Sequence, residues 1–151
     1  MHDRAFSLLE LLVAVAILVI VVSVAVPVYT AYSLRAHRVN AQADLFRCAQ
    51  GLERHATESR SYAMAVDTDG DGVGDASTGP VSANLCTVAA GAYEISLHAA
   101  TAADFVLRAT PRGDGAAAAE GVVELDSTGV RRWDRNGDGD FDDADERRWT
   151  D

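Results

Sequence analysis

Residues 6–28 read FSLLELLVAVAILVIVVSVAVPV, and the rest of the chain is organised around this stretch. From Leu11 to Val28 only Ser23 and Pro27 interrupt a continuous apolar run. Because a helix needs about 20 apolar residues to cross a bilayer, the run predicts a membrane-spanning helix. Glu10 is its one charged residue, and a carboxylate at the edge of an apolar span is costly unless it has a partner.

The helical pattern continues through residues 29–59. A set of apolar or small residues recurs there at helical spacing, namely Leu45, Cys48, Ala49, Leu52 and Ala56. The polar positions around them are Arg38, Asp44, Arg47, Glu53, Arg54 and Glu58. A helix from near Ser7 to near Ser59 would be about 80 Å long. We expect its first half to lie in a membrane or among other copies of the chain, with a kink or weak point at Pro27.

Period-two alternation of apolar and polar residues follows the helix. It appears at residues 93–98, 105–110 and 123–126, and the turn at 126–129 leads into a possible fourth strand at 130–133. Each strand therefore has one buried face, and the apolar stripe of the helix is the surface that it can cover. The sequence predicts an α+β fold in which a long helix packs against an antiparallel sheet of three to four strands.

The negative charge of the chain is concentrated in two stretches. The formal net charge is −10. Residues 67–75 carry four acids and no base, and residues 134–146 carry seven acids and one arginine, so these stretches contribute −4 and −6. Since the remainder is balanced, the acidity indicates two local sites. The overall charge argues against nucleic-acid binding by the whole molecule.

The second acidic stretch fits the calcium-loop pattern D-x-[DN]-x-[DN]-G. Its predicted ligands are Asp134, Asn136, Asp138, Asp140 through its backbone carbonyl, Asp142, and Asp145 as the closing residue, with Glu146 as the alternative. Gly139 permits the sharp turn, and Phe141 is predicted to pack toward the core. Calcium prefers six to eight hard oxygen ligands, which this loop supplies. A solvated acidic tail is the alternative interpretation.

The first acidic stretch has the same opening. Asp67, Asp69 and Asp71 precede Gly72, and Asp75 occupies the ninth place. The twelfth position is Thr78, a poor ligand, so we expect a shorter and more open site. The cofactor prediction is therefore one or two calcium ions.

No catalytic set is visible in the sequence. The four histidines are scattered, and the chain lacks G-x-S-x-G, a phosphate-binding G-x-x-x-x-G-K and C-x-x-C. All thirteen basic residues are arginine, which removes lysine Schiff-base chemistry. We expect a protein that is not an enzyme.

The start AFSLLELLVAVAILVIVVSVAVPVYTAY resembles the N-terminus of a type IV pilin. The matching residues are Phe6, Glu10, Pro27, Tyr29 and Tyr32. A weaker resemblance to PilE-like minor pilins extends through YEISL, FVLRATPRG and GVVELDSTGVRRW. The resemblance implies a leader, 1–5, that prepilin peptidase removes between Ala5 and Phe6. The family usually has Gly at the position of Ala5, and alanine is also small, so we expect processing to survive.

The resemblance also implies how copies assemble. Glu10 would face the α-amino group of Phe6 on a neighbouring subunit, because pairing removes the penalty of burying either charge alone. The local alternative is a capping box formed by Ser7 and Glu10. A conventional cleaved signal peptide is a second alternative, but SVAVPVY offers no good cleavage site.

The predicted segments are the leader 1–5, the assembly half-helix 6–28, the amphipathic half-helix 29–59, a connecting loop 60–92, the sheet 93–133 and a calcium-type tail 134–151. The expected partners are other pilin subunits and prepilin peptidase. The expected location is the inner membrane, as a single-pass protein, and then an extracellular pilus. A periplasmic pseudopilus of type II secretion and an exported, membrane-anchored calcium-binding module are the alternatives. Attachment, twitching motility and DNA uptake are the roles that the resemblance implies.

The two cysteines, Cys48 and Cys86, allow a single pairing. An exported head favours a disulfide between them, and two buried thiols are the alternative. Related pilins often close the C-terminal region with a disulfide, and no cysteine follows Cys86. We therefore expect calcium in the 134–145 loop to take over that closing role.

Overall fold

A long helix is the first element among the residues that the structure describes. The computed structural model describes residues 8–89, 91–113, 117–118 and 120–150. Helix α1 spans Leu8–Ser59 and continues through Pro27 without a break. Its observed end agrees with the prediction, while Ser7 lies outside the described residues.

The chain divides into two units between Arg35 and Ala36. In the first unit the large apolar side chains from Leu8 to Val28 are 47–80% exposed. This part of α1 includes an 18-residue window with a mean hydropathy of 3.2, and none of that window is buried. By length and composition, α1 is therefore able to cross a membrane.

The second unit contains an antiparallel sheet of five strands in sequential order. The strands are β1 (Gly79–Pro80), β2 (Tyr93–Ala100), β3 (Phe105–Pro111), β4 (Val123–Asp126) and β5 (Arg131–Trp133). All neighbouring pairs are antiparallel. The long helix and the antiparallel sheet predicted from sequence are confirmed. The two-residue β1 was not predicted, because it is too short to show alternation.

The core joins the C-terminal half of α1 to one face of the sheet. Leu45, Cys48 and Leu52 of the helix are fully buried, and they belong to the same apolar cluster as Ile95 and Leu107. The buried positions of β2 and β3 alternate with exposed or half-buried ones. The helical stripe and the alternation of β2 and β3 therefore predicted the core correctly, whereas the alternation predicted for β4 was wrong, because Glu124 is buried as well.

Two of the polar positions around the apolar stripe of the helix are buried. Arg38 is 6% exposed and Asp44 is 5% exposed. The Arg38 guanidinium donates to Glu120 at 2.7 Å and stacks on Trp133, 3.8 Å from the ring centroid. Asp44 pairs with Arg47 and accepts the N–H of Ala89 at 3.3 Å. Contacts with Glu120, Trp133 and Ala89, which lie far along the chain, help to offset the cost of burying these charges, and helical periodicity alone cannot show them.

The neighbourhood of Arg38 also affects a buried tyrosine. Burial, assisted by the negative charge of Glu120, raises the pKa of Tyr93 to about 12, although Arg38 acts in the opposite direction. The Tyr93 ring is 6% exposed within the core cluster. Its hydroxyl therefore stays neutral at physiological pH.

Candidate metal site and acidic loops

The residues predicted to carry assembly lie at the start of the chain. Glu10 is exposed in the first turns of α1, and Pro27 is exposed within the same helix. Ala5 and Phe6, the predicted processing residues, lie outside the described residues. The pairing of Glu10 with the amino group of Phe6 accordingly stays a prediction.

The loop after β5 is built around one buried carboxylate. Asp134 is 3% exposed, and its N–H donates to the carbonyl of Val122 at 2.9 Å. Its Oδ1 accepts the N–H of Gly137 at 2.7 Å, and its Oδ2 accepts the N–H of Gly139 at 3.1 Å. The side chain thus folds the opening of the loop around itself, as an Asx turn does.

Three acidic side chains converge in this loop. Asp134, Asp138 and Glu146 each offer a carboxylate oxygen, and these oxygens lie within 4.8 Å of one another. Carboxylates held this close repel, and a bound cation removes the repulsion. Hard oxygen ligands of this kind are suited to calcium.

Glu146 is the most enclosed of the three. It is 1% exposed, and its Oε1 accepts the N–H of Arg135 at 3.1 Å. No donor among the described residues reaches its Oε2, which is also buried. The backbone carbonyl of Glu146 accepts the N–H of Trp133 at 2.8 Å, so the residue is fixed to the last strand.

The other predicted ligands lie in the same loop, and the acidic ones among them are outside this group. Asn136 donates from its amide to Asp138 at 2.8 Å, and Asp140 accepts the N–H of Asp142 at 3.0 Å. Asp145, the predicted closing residue, has a side chain that is 51% exposed and pairs with Arg135 at 3.5 Å. The structure therefore brings Glu146, the alternative closing residue, into the carboxylate group, and Asp145 lies outside it.

A buried ion network lies on the strands beside this loop. Glu124 of β4 is 4% exposed and accepts from Arg108 at 2.7 Å and from Arg132 at 2.6 Å. The guanidinium of Arg108 also lies 5.8 Å from the ring centroid of Phe141, which is half-buried in the loop. Phe141 therefore meets the sheet through an arginine, and the prediction that it packs toward the core was wrong, because among the described residues it neither belongs to the core cluster nor packs against it.

The first acidic loop has the same local geometry and greater exposure. Asp67 accepts the N–H groups of Gly70 at 2.7 Å and Gly72 at 2.9 Å. Asp67, Asp69 and Asp71 offer oxygens within 4.8 Å of one another. Asp67 is half-buried and the other two are exposed. The opening of the calcium pattern is therefore reproduced, without a buried carboxylate to close it.

Asp75, the ninth residue of the first loop, is held by a neighbour. The Thr68 hydroxyl donates to it at 2.7 Å, and the Thr68 N–H donates at 3.0 Å. These hydrogen bonds, the hydroxyl first, lower the pKa of Asp75 below its ordinary value. Asp75 lies outside the group formed by Asp67, Asp69 and Asp71.

Comparison with known families identifies two adjoining segments. Residues 1–26 match the prokaryotic N-terminal methylation motif. Residues 27–120 match the family described as type IV minor pilin ComP, DNA uptake sequence receptor, which covers more than half of the chain. The chain belongs to the type IV minor pilins. Comparisons with curated proteins and with solved structures gave no significant match.

Membership of this family confirms the resemblance seen in the sequence. Pilins are structural subunits, which agrees with the absence of a catalytic motif in the sequence. The methylation motif implies processing by prepilin peptidase and association with other pilins. The apolar start of α1 agrees with membrane anchoring.

The predicted disulfide of the pilin is present. Cys48 of α1 and Cys86 are joined with an S–S distance of 2.01 Å and a Cα–Cα distance of 4.9 Å. The bond encloses the first acidic loop, because residues 67–75 lie between the two cysteines. The second acidic loop lies outside this covalent ring.

Sequence reasoning missed the burial of Glu124 beside the second loop, and it gave Glu146 only as the alternative closing residue. The alternation along β4 predicts that Glu124 faces outward. It is buried instead, because it forms ion pairs with Arg108 and Arg132. Glu146 falls one place beyond the twelfth position of the loop pattern.

Proposed function

We propose that this pilin is a minor structural subunit of a type IV pilus that assembles through its N-terminal helix. The adjoining matches to the methylation motif and to the minor pilin family carry this proposal. Cleavage between Ala5 and Phe6 would leave the helix on the mature protein, first in the inner membrane and then in the fibre. The exposed apolar residues from Leu8 to Val28 provide the surface for both environments.

In this proposal Glu10 sets the register between subunits. Its carboxylate would pair with the new α-amino group of Phe6 on a neighbour, where a low dielectric strengthens the attraction. Mass spectrometry of the mature protein should find methylated phenylalanine at position 6. A mature N-terminus beyond Pro27 would contradict the proposal.

The assembly role of Glu10 is tested by incorporation into fibres. Glu10→Ala should lose competition with wild-type subunits, because the buried amine keeps no partner. Ser23→Ala is a matched control, since Ser23 interrupts the same apolar run and donates only to the carbonyl of Ile20 at 2.8 Å. Equal incorporation of Glu10→Ala and wild type would overturn the register mechanism.

The calcium-dependent head is the second part of the proposal. The ion would bind in the loop 134–146, with Asp134 and Asp138 as ligands supported by Asn136, Asp140 and Asp142. The convergence of three carboxylates within 4.8 Å, two of them buried, supports this site. At a free calcium concentration of 100 times Kd, the folded head would gain about 2.7 kcal/mol. That is comparable to the typical contribution of a disulfide, about 2–4 kcal/mol.

Chelation tests the calcium part separately from assembly. Adding EGTA should lower the melting temperature of the head, followed by tryptophan fluorescence of the full chain in detergent micelles. An unchanged melting temperature would remove calcium from the proposal and leave the pilus role intact. A second, weaker ion at Asp67, Asp69 and Asp71, near Asp75, would show as a low-affinity step in a calcium titration.

A pseudopilus of type II secretion is the competing assembly. The methylation motif fits both systems, whereas the match to a minor pilin family favours the pilus. Deleting the gene should remove a pilus function, such as attachment or twitching, and leave protein secretion unchanged. The reverse result would assign the chain to a secretion pseudopilus.

The matched family is described as a DNA uptake sequence receptor. Whether this chain itself binds DNA is a separate question. Binding to phosphates needs a basic surface, and the net charge here is −10. We therefore propose a structural role without direct DNA binding. A mobility-shift assay at low salt, with and without calcium, should show no complex, and a sequence-dependent complex would overturn this part.

A further inference from the structure

We propose that Glu146 is the closing ligand of the ion in the second loop and that the ion thereby locks the C-terminal segment, residues 146–150, onto the last strands of the sheet. This inference rests on the proposed calcium site. It adds an assignment that differs from the loop pattern, in which the twelfth residue, Asp145, would close the site. It also means that the ion holds the C-terminal segment in place on the sheet.

The first support is the environment of the Glu146 carboxylate. Its Oε2 is buried and has no donor among the described residues, whereas Oε1 is used by the N–H of Arg135. A buried charged oxygen without a partner is costly, and the carboxylate that carries it belongs to the group that contains Asp134 and Asp138. A cation in that group is the partner that satisfies it.

The second support is that Asp145 is engaged elsewhere. Its side chain is 51% exposed and faces Arg135 at 3.5 Å. Moving it into the carboxylate group would break this pair and displace a residue that is adjacent to the anchored Glu146. The thirteenth residue therefore takes the closing role.

The third support is the way in which the segment after the loop is attached. The carbonyl of Glu146 accepts the N–H of Trp133, so the chain crosses the outer side of β5, the last strand in the sheet order. Three residues later, the Trp149 indole N–H donates to the carbonyls of Glu124 at 3.2 Å and Arg132 at 3.0 Å. These two residues are register partners on β4 and β5.

The same tryptophan extends the attachment to the helix. The rings of Trp149 and Phe46 meet edge to face, with centroids 5.3 Å apart. Arg131 lies over both rings, 5.1 Å from Phe46 and 5.5 Å from Trp149. The Phe46–Arg131–Trp149 cluster therefore joins α1, β5 and the C-terminal segment at a surface position, since Phe46 is 40% exposed.

These contacts couple the ion site to the Phe46–Arg131–Trp149 cluster. Without the ion, repulsion among three carboxylates and the cost of a buried unpaired oxygen both favour moving Glu146 out of its site. When the Glu146 side chain leaves its site, the segment that follows it loses this anchor, and Trp149 lies only three residues further along the chain. Calcium occupancy thus controls whether the Phe46–Arg131–Trp149 cluster is formed.

The experiment follows the two tryptophan indole N–H signals by NMR, in the full chain in detergent micelles with calcium or EGTA. In wild type, EGTA should speed hydrogen exchange of the Trp149 indole by about tenfold, the value of one hydrogen bond. The Trp133 indole, which donates to Glu120 at 2.6 Å inside the core, serves as the internal reference and should not change. Equal exchange of Trp149 in the two conditions would overturn the lock.

Two variants test the assignment of the closing ligand. Glu146→Gln should weaken calcium binding by about 30-fold or more, as expected when one member of a buried charge interaction is removed. Asp145→Asn should weaken it much less. The reverse order would overturn the assignment to Glu146 while leaving the calcium site in place.

The outcomes separate this inference from the proposed function. If wild type binds no calcium by titration, the calcium part of the proposed function fails and the lock fails with it. If wild type binds calcium but Trp149 exchange does not respond, the lock alone fails. Should Glu146→Gln prove unfolded, the wild-type comparison of calcium and EGTA still decides the result.

Discussion

The loops 67–75 and 134–146 share an opening of oxygen side chains at alternate positions and a glycine at the sixth place. In both, the first aspartate accepts the N–H groups of the fourth and sixth residues. They differ in what closes them. Asp134 is 3% exposed and is joined by the buried Glu146, whereas the first loop has only half-buried or exposed acids, and Asp75 is tied to Thr68.

The difference shows that a metal-loop pattern specifies a local turn and leaves the strength of the site to the surroundings. Asx hydrogen bonds form from neighbours within the loop, so both loops have them. A buried closing carboxylate needs a strand edge to hold it, and only the second loop follows β5. The ends of the first loop are instead joined by an antiparallel bridge between Val66 and Ala76, inside the ring that the Cys48–Cys86 disulfide closes.

Removing the disulfide should lower the free energy of unfolding more than any other change considered. The loss should affect mainly the region of the first loop. The cysteines are separated by 38 positions in sequence. Chain-entropy arguments give a loss of about 4 kcal/mol for a covalent loop of that size. Cys48→Ala/Cys86→Ala should therefore unfold at lower urea, measured by tryptophan fluorescence. Calcium affinity at the second loop is the control, and it should persist under conditions where the variant is folded.

Neutralising the first aspartate of a loop should have the second-largest effect, which is on the calcium-linked stabilisation of the head. Asp134→Asn should abolish the calcium-linked stabilisation of the head, about 2.7 kcal/mol at 100 times Kd. Asp67→Asn makes the same chemical change in the open loop and should leave most of that stabilisation. The readout is the difference in melting temperature between calcium and EGTA. Equal losses in the two variants would mean that the loops do not differ as metal sites.

Replacing the glycine at the sixth position of either loop should cause a smaller loss of stability. In EGTA this loss should be similar in the two loops. Gly72 and Gly139 have φ of +91° and +90°, and no atom lies within 4 Å of an added Cβ at either. Alanine at each should cost about 1 kcal/mol of backbone strain in EGTA. With calcium, Gly139→Ala should cost more, because the turn also positions ligands. Unequal costs in EGTA would show that crowding or local packing distinguishes the turns.

The smallest effect concerns the titration of Asp75. Its pKa is lowered in the folded state, so its stabilising contribution is present above the unfolded pKa and is lost as pH falls through the folded value. Thr68→Val removes the hydroxyl that is the main cause, and the pKa of Asp75 should rise toward its ordinary value. Carboxyl NMR titration without calcium measures this. Asp126 is the reference, because burial raises its pKa while hydrogen bonds from Thr128 and Val130, with the charge of Arg132, lower it overall, and Thr68 is not among these causes.

Several features of this pilin followed from local sequence. The apolar run of 6–28, the stripe through Leu45 and Leu52, and the alternation of β2 and β3 are periodic signals, and each reports the environment of one element. The disulfide followed from the presence of two cysteines and an exported head. The openings of both acidic loops followed from ligand spacing, because Asx turns involve residues only two to five positions apart.

The tertiary structure decided which charges are buried and which loop can close. Arg38 meets Glu120, and Glu124 meets Arg108, over separations that no periodic pattern encodes. Glu146 enters the carboxylate group because its backbone is hydrogen-bonded to Trp133 at the edge of the sheet. Sequence spacing fixes ligands that lie within one turn of the chain. A ligand delivered by strand pairing depends on the whole fold, because its position is set by hydrogen bonds to residues far along the chain.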